Sequence, residues 1–222
     1  MKINSSMIKN DVKAENQTQE KQNIFIDDNA KIKILFLGNS ITLHEKLPEI
    51  GWFNNWGMAA SSQDKDYVHL TLKFLKEKYE NVSYCITNVG EWELNYWKEE
   101  VLSKFDTAKD FNADVVILRF GENVRDVNFK DHPFAPNLEK FAKYFIQNAK
   151  KVVVTDLFWE HELLCKDMKN LAEKYGFDFV QLSDLGYSDE NMAKGLFEHQ
   201  GVAMHPGDLG MKRIADRIIE KL

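Results

Sequence analysis

The feature that most constrains the fold is an alternation of short apolar runs with longer amphipathic stretches, which starts near Lys31. Five runs are mostly apolar and rich in β-branched side chains: residues 32–37, 82–87, 115–119, 152–155 and 177–182. Runs of this kind are typical of strands that are buried on both faces of a sheet.

The stretches between these runs carry apolar residues at intervals of three and four, which is the spacing of an amphipathic helix. The spacing predicts helices over residues 67–79, 138–149, 161–175 and 207–222. Strands that alternate with helices form a parallel sheet covered by helices on both faces. The sequence therefore predicts an α/β fold, a three-layer α/β/α sandwich around a flavodoxin-like, five-stranded parallel sheet.

The length of 222 residues fits one well-cored domain. Residues 1–28 are rich in Asn, Lys, Gln and Glu, so we interpret them as a polar N-terminal arm or a short strand that leads into a domain over residues 29–222. No apolar run approaches the length of about 18 residues that spans a membrane. The polar N-terminus also lacks the apolar segment of a signal peptide, and we therefore expect a cytoplasmic protein.

The formal net charge of -6 argues against nucleic acid or an anionic membrane as a partner, because no basic block stands out. The two cysteines, Cys85 and Cys165, have no metal-site spacing, and we expect both to be packed thiols. Glu160, His161 and Glu162 are adjacent on a predicted helix and point in different directions, so we expect no metal site.

Ligands of a doubly wound sheet bind at the carboxyl ends of its strands, which makes the residues after each run the candidates for chemistry. Ser40 follows the first run, within Gly38-Asn39-Ser40, and we expect a helix to begin directly after it. The N-terminus of that helix would stabilise an oxyanion near the Ser40 hydroxyl. The ordinary alternative is that Ser40 only caps the helix.

Three further positions complete the candidate set. Gly90 follows the second run, where its backbone N–H can approach a ligand or simply serve a turn. Asn123 follows the third run, where its amide can donate to an oxyanion or form an Asx turn. His205 precedes Pro206, which keeps it out of the last helix and suits a general base on a fixed loop.

Together, the Gly-x-Ser, Gly, Gly-x-Asn and His-Pro motifs resemble, in order, the four sequence blocks of the SGNH (GDSL-like) hydrolase superfamily, over about residues 31–222. The resemblance implies that Ser40 is the nucleophile and His205 its general base. It also implies an oxyanion hole made by the N–H groups of Ser40 and Gly90 and by the Asn123 amide. The implied chemistry is acyl transfer through a serine ester, which requires no metal and no organic cofactor.

The chain departs from the family pattern at two positions. Asn39 stands where the first block usually has Asp, a change that we interpret as support for the turn with little effect on chemistry. Val202 stands where an Asp usually orients the histidine, and an apolar side chain cannot accept the Nδ1 proton. We expect a backbone carbonyl to hold His205 instead. The alternatives are Glu198 and, as weaker candidates, Asp184 and Asp208.

An aromatic-rich segment, residues 51–58, follows the Ser40 turn. Its Trp52 and Trp56 are either packed in the core or form an apolar wall for a sugar ring or acyl group. With the resemblance, this favours a small O-acyl ester, an acetylated carbohydrate, as substrate, while lipid-like and thioester substrates remain open. The rival functions are a non-catalytic carbohydrate-binding protein and a nucleotide-binding protein, and the latter lacks a glycine-rich fingerprint.

Overall fold

The computed structural model describes residues 21–222. Its strands are β1 (Lys21–Phe25), β2 (Ile32–Gly38), β3 (Val82–Asn88), β4 (Val115–Arg119), β5 (Lys151–Thr155) and β6 (Asp178–Val180). They form one six-stranded sheet in the order β1-β3-β2-β4-β5-β6. Neighbours among β2 to β6 are parallel, and β1 pairs antiparallel with β3. Apart from β1, this is the strand order of a flavodoxin-like sheet.

Helices cover both faces of the sheet. They are α1 (Tyr67–Tyr79), α2 (Gly90–Asn95), α3 (Asp106–Asp110), α4 (Phe134–Phe145), α5 (Glu162–Tyr175), α6 (Gln200–Ala203) and α7 (Asp208–Ile219). Short 3-10 helices lie at Pro48–Ile50, Gln63–Lys65, Glu99–Phe105, Asp126–Asn128, Leu185–Tyr187 and Asp189–Asn191. Within residues 21–222, none of these helices combines the length and the apolar character that crossing a bilayer requires.

Alternate residues of each central strand enter two separate cores. Leu35 and Leu37 of β2 pack with α2, α4 and α5 on one face, whereas Ile34 and Phe36 pack with α1 and α7 on the other. Burial on both faces explains why the strand runs are almost continuously apolar. The α/β fold class predicted from these runs is confirmed.

The structure differs from the prediction at the edge of the sheet. A sixth strand, β1, pairs with β3 along its whole length, so this part of the predicted N-terminal arm is a strand. Residues 1–20 of the predicted arm lie outside the described residues. The helix predicted over 138–149 begins earlier, because Pro136 is tolerated in the first turn, where its missing N–H has no partner to lose.

The helix predicted directly after Ser40 is absent, and that expectation is wrong. The N–H groups of Thr42 and Leu43 both donate to Asn39 O, at 2.9 and 3.0 Å, which closes a single turn. The chain then continues through loops and 3-10 turns until Tyr67, because Pro48, Gly51 and Gly57 interrupt this segment. A helix directly after Ser40 is therefore not available to stabilise an oxyanion there with its dipole.

Candidate active site

A tight turn at the end of β2 presents Ser40 at the carboxyl edge of the sheet. Gly38 has no room for a side chain, because a Cβ would lie 1.7 Å from Thr42 Oγ1 and 2.7 Å from Arg119 O. The turn brings Ser40 Oγ to 2.7 Å from His205 Nε2, across a separation of 165 residues. This is within hydrogen-bond reach, as the predicted roles of Ser40 and His205 as nucleophile and base require.

The imidazole of His205 is held from its other side by the backbone. His205 Nδ1 lies 2.6 Å from Gly201 O. Since a carbonyl can only accept, Nδ1 carries the proton and Nε2 is left to accept from Ser40 Oγ. The ring of Trp159 meets the imidazole edge to face, with the centroids 5.5 Å apart. Trp159 carried no motif in the sequence that would have marked it.

The three carboxylates considered as partners of His205 are engaged or directed elsewhere. Asp184 forms a two-pronged ion pair with Arg217, at 2.5 and 2.7 Å. Asp208 accepts from Ser61 N, from Ser61 Oγ and from a lysine, each at 2.8 Å. Glu198 is exposed, and Val202 is fully buried in an apolar cluster. The geometry therefore matches the carbonyl alternative.

Glu198→Gln is expected to leave kcat and KM for ester hydrolysis close to those of the wild type, because the Nδ1 proton of His205 already lies on Gly201 O. Steady-state kinetics on an aryl acetate checks this, with Glu190→Gln, another exposed acid, as the matched control. A loss of up to about 10⁴-fold in kcat would instead identify Glu198 as the acid of a triad.

The pKa of His205 is lowered from 6.5 to about 4, mainly by burial, with the charges of His44 and Arg119 acting in the same direction. The Gly201 carbonyl and the negative charge of Glu122 act in the opposite direction. The imidazole is therefore neutral near pH 7, which is the form that can accept a proton.

His205 is expected to remain neutral from about pH 8 down to about pH 6 and to protonate only in more acidic solution, because burial disfavours imidazolium. A pH titration of its ring nitrogens by NMR, assigned by comparison with His205→Asn, measures this directly. A midpoint at or above 6.5, the ordinary value, would contradict the expected direction of the shift.

The two other predicted oxyanion donors both have partners. Asn123 Nδ2 donates one hydrogen to Glu93 Oε2 at 2.6 Å, which leaves its second N–H available. The Gly90 N–H donates to Asn88 Oδ1 at 2.8 Å. A substrate oxyanion would have to share the Gly90 hydrogen with Asn88, so Gly90 is the weakest of the predicted donors.

A buried polar network, most of which no sequence motif predicts, lies behind the Ser40 turn. Asn39 Nδ2 donates to Glu93 Oε1 at 3.0 Å and to Glu122 Oε2 at 2.5 Å. Asn39 Oδ1 accepts from Arg119 Nη1 at 3.0 Å. Arg119 and Glu122 also form an ion pair in which both side chains are buried. The available signal was a charged residue at the end of an apolar run, as at Arg119.

The two tryptophans predicted to contact substrate lie mainly in the core. Trp52 is fully buried, donates to His44 O at 3.3 Å and packs edge to face on Trp56. The expectation that Trp52 lines the site is therefore wrong, because the ring has no exposed face. Trp56 is half-buried and donates to Ala60 O at 2.9 Å. Phe53 is the exposed aromatic residue of this segment.

The residues that the structure describes contain no cluster of side chains able to hold a metal ion. His161, flanked by two glutamates in the sequence, instead places Nε2 2.7 Å from Asp126 Oδ1. A flavodoxin-like sheet with a Ser–His pair at its carboxyl edge defines an α/β protein whose site has the geometry of serine hydrolases.

The solved structures that this chain resembles include esterases and an acylhydrolase. The chain is similar to a catalytic mutant of an acetylxylan esterase from Geobacillus stearothermophilus, with a TM-score of 0.53 and 15% identity over 86% of this chain and 94% of that chain. It is also similar to a lipase/acylhydrolase from Enterococcus faecalis, with a TM-score of 0.53 and 16% identity over 85% of this chain and 94% of that chain. For a two-domain esterase active on acetylated mannans, the TM-score is 0.53 and the identity 20%, over 85% of this chain and 48% of that chain.

The chain therefore shares the fold of these esterases and of this acylhydrolase. No family model matches the sequence, and no curated protein sequence matches it either.

Proposed function

We propose that the protein is a serine esterase that hydrolyses a small O-acyl ester, an O-acetyl group on a carbohydrate. The observation that carries the proposal is the contact of 2.7 Å between Ser40 Oγ and a His205 imidazole whose Nδ1 is bonded to Gly201 O. The likeness to esterases that act on acetylated xylan and acetylated mannan supports the substrate class.

In the proposed reaction, His205 Nε2 accepts the Ser40 proton while Ser40 Oγ attacks the ester carbonyl carbon. The oxyanion receives hydrogen bonds from the Ser40 N–H and from the second N–H of the Asn123 amide, and it shares that of Gly90. The imidazolium then protonates the leaving alcohol oxygen, and the acyl group stays on Ser40. Water, deprotonated by His205, attacks the acyl carbon and releases the acid together with the free Ser40 hydroxyl.

The Gly201 carbonyl replaces the carboxylate that the family usually provides. A carbonyl orients the imidazole as well as a carboxylate does, but a neutral group stabilises imidazolium less. Burial, the main cause of the low pKa of His205, also disfavours imidazolium. The catalytic power of the proposed site therefore depends strongly on its oxyanion donors.

Asn123→Ala is expected to lower kcat by about 10²–10³-fold with little change in KM, the usual cost of losing one oxyanion donor. The Asn123 side chain is held in place by Glu93, so its free N–H is already oriented. Steady-state kinetics measures the effect, with Asn137→Ala as the matched control, because the Asn137 amide donates to Pro133 O on an exposed surface. A change confined to KM would make Asn123 a substrate-binding residue instead.

The proposal is tested with two reagents. A fluorophosphonate probe is expected to label the wild-type protein at Ser40, as located by mass spectrometry of the modified peptide. Acetate release is expected from acetylated xylo- and manno-oligosaccharides, with long-chain esters and thioesters as the comparison substrates. Absence of labelling and of turnover, combined with binding of the oligosaccharides by calorimetry, would support the non-catalytic carbohydrate-binding protein.

A further inference from the structure

Glu93 is a fully buried carboxylate that the reaction above does not use. It lies on α2, which follows β3, and it joins residues that follow the next two strands of the sheet, β2 and β4. Glu93 Oε1 accepts from Asn39 Nδ2 at 3.0 Å and from Gly121 N at 2.5 Å, while Oε2 accepts from Asn123 Nδ2 at 2.6 Å. Three donors thus converge on one side chain.

We propose that Glu93 is a positioning residue for the oxyanion hole: its carboxylate fixes the Asn123 amide so that the second N–H of that amide faces the ester oxygen. The inference rests on the proposed function, because it assigns Glu93 a part in the same reaction. Glu93 acts through Asn123, since the hydrogen bonds described for its carboxylate come from Asn39, Gly121 and Asn123.

The chemistry of the donors supports this assignment. An ionised carboxylate can only accept hydrogen bonds, so the Asn123 atom that faces Glu93 must be the nitrogen. One hydrogen of that nitrogen is then occupied, and the direction of the other is set by the plane of the amide. A neutral partner would leave the amide free to exchange its nitrogen and oxygen positions.

Asn123 is also the one donor of the three that can move. The Gly121 N–H belongs to the backbone. Asn39 is locked, because Arg119 faces its oxygen and Glu122 faces its nitrogen. If Glu93 accepts fewer hydrogen bonds, the Asn123 amide is therefore the donor that loses its acceptor.

The charged form of Glu93 is the form that this arrangement needs. Burial and the neighbouring charge of Glu122 raise the pKa of Glu93 to about 7, while the three donors act in the opposite direction. Measurements at about pH 8 therefore place the side chain in its carboxylate form.

The test is Glu93→Gln, assayed at about pH 8. The Gln amide offers one acceptor oxygen to three donors, and that oxygen is retained by Gly121 and Asn39. Its nitrogen then faces Asn123 Nδ2, donor against donor, and the Asn123 amide must turn. We expect kcat to fall by about 10²-fold, the scale of one lost oxyanion donor, with KM nearly unchanged.

A double variant separates positioning from general support of the fold. Glu93→Gln combined with Asn123→Ala is expected to have the same kcat as Asn123→Ala alone, because both changes remove one interaction. Losses that multiply would overturn the proposal. The side-chain NH₂ resonances of Asn123 are expected to shift in Glu93→Gln, and unchanged resonances would overturn it independently of any assay.

The matched control is Asp156→Asn. Asp156 is also a buried carboxylate with three donated hydrogen bonds, from Leu182 N, Ser183 N and Ser183 Oγ. The Asp156→Asn substitution is expected to lower the free energy of unfolding and to leave kcat of the folded protein unchanged. If Glu93→Gln behaves in the same way, Glu93 is structural and the proposal fails.

Two outcomes distinguish this inference from the proposed function. Full kcat in Glu93→Gln, with an active wild type and an impaired Asn123→Ala, would overturn the inference alone. A wild type without turnover and without probe labelling would overturn the proposed function and the inference with it. If Glu93→Gln does not fold, Glu93→Asp replaces it. Asp keeps the negative charge, but its side chain is one methylene shorter and ends farther from Asn123. Full kcat in Glu93→Asp would also overturn the inference.

Discussion

Ser40→Ala is expected to lower kcat for acetyl ester hydrolysis by about 10⁶-fold, the scale of removing the nucleophile from a serine hydrolase. The hydroxyl contacts His205 Nε2 at 2.7 Å, and no other group at this edge of the described structure is poised to attack a carbonyl with His205 as base. The residual rate reflects substrate binding and the oxyanion donors alone. Kinetics with an aryl acetate, together with loss of fluorophosphonate labelling, measures the effect.

The fold should survive this substitution, because the Ser40 side chain is half-buried and its contact is with the imidazole. Unfolding by urea is therefore expected at nearly the same midpoint in the variant and the wild type. Ser103→Ala is the matched control, since its hydroxyl caps Glu100 O on an exposed surface. Turnover at the wild-type rate in Ser40→Ala would refute the assignment of the nucleophile.

Asn39→Asp is expected to lower the free energy of unfolding by about 3–5 kcal/mol, the cost of an uncompensated buried charge. The substitution introduces the residue that SGNH hydrolases usually have at this position, and by that resemblance it would be harmless. Here, however, the Asn39 amide donates to Glu93 and to Glu122. An Asp would place a third carboxylate against these two, with Arg119 as the one cation in contact.

Urea denaturation at about pH 8 measures this loss of stability, with Asn148→Asp, an exposed amide, as the control. The loss should shrink as the pH falls, because a protonated Asp can again donate to one neighbouring carboxylate. Stability equal to the wild type at pH 8 would contradict the buried arrangement of Asn39, Glu93 and Glu122.

The parallel sheet was predictable because each strand can be recognised from its own local sequence. Burial on both faces requires near-continuous apolar runs, and the helices between them follow a spacing of three and four. Strand order then brings the residues after β2 and β4 to one edge, so a site that includes Ser40 and Asn123 could be anticipated from position alone. The meeting of Ser40 with His205 followed from the resemblance and not from any local pattern.

The polar network was not predictable from these patterns. Asn39 and Glu122 are 83 residues apart, and Glu93 and Gly121 are 28 apart, so their contacts depend on how the strands are ordered. A single glutamate in a short helix, such as Glu93, has no periodic signal. The missing helix after Ser40 and the buried Trp52 show the same limit, since loop segments are determined by tertiary contacts more than by local propensity.

His205 is held by a backbone carbonyl, so the mutations that can inactivate the site differ from those expected where a carboxylate holds the histidine. A side-chain acid can be lost through one codon change, whereas every amino acid at position 201 would still carry a carbonyl. The vulnerable property is instead the shape of α6, which His199 caps by accepting from Val202 N at 3.3 Å. A side chain at Gly201 would place its Cβ 2.8 Å from the His199 ring. Mutations in this region should therefore impair the site when they change the conformation of the four residues of α6, and not through the loss of a carboxylate.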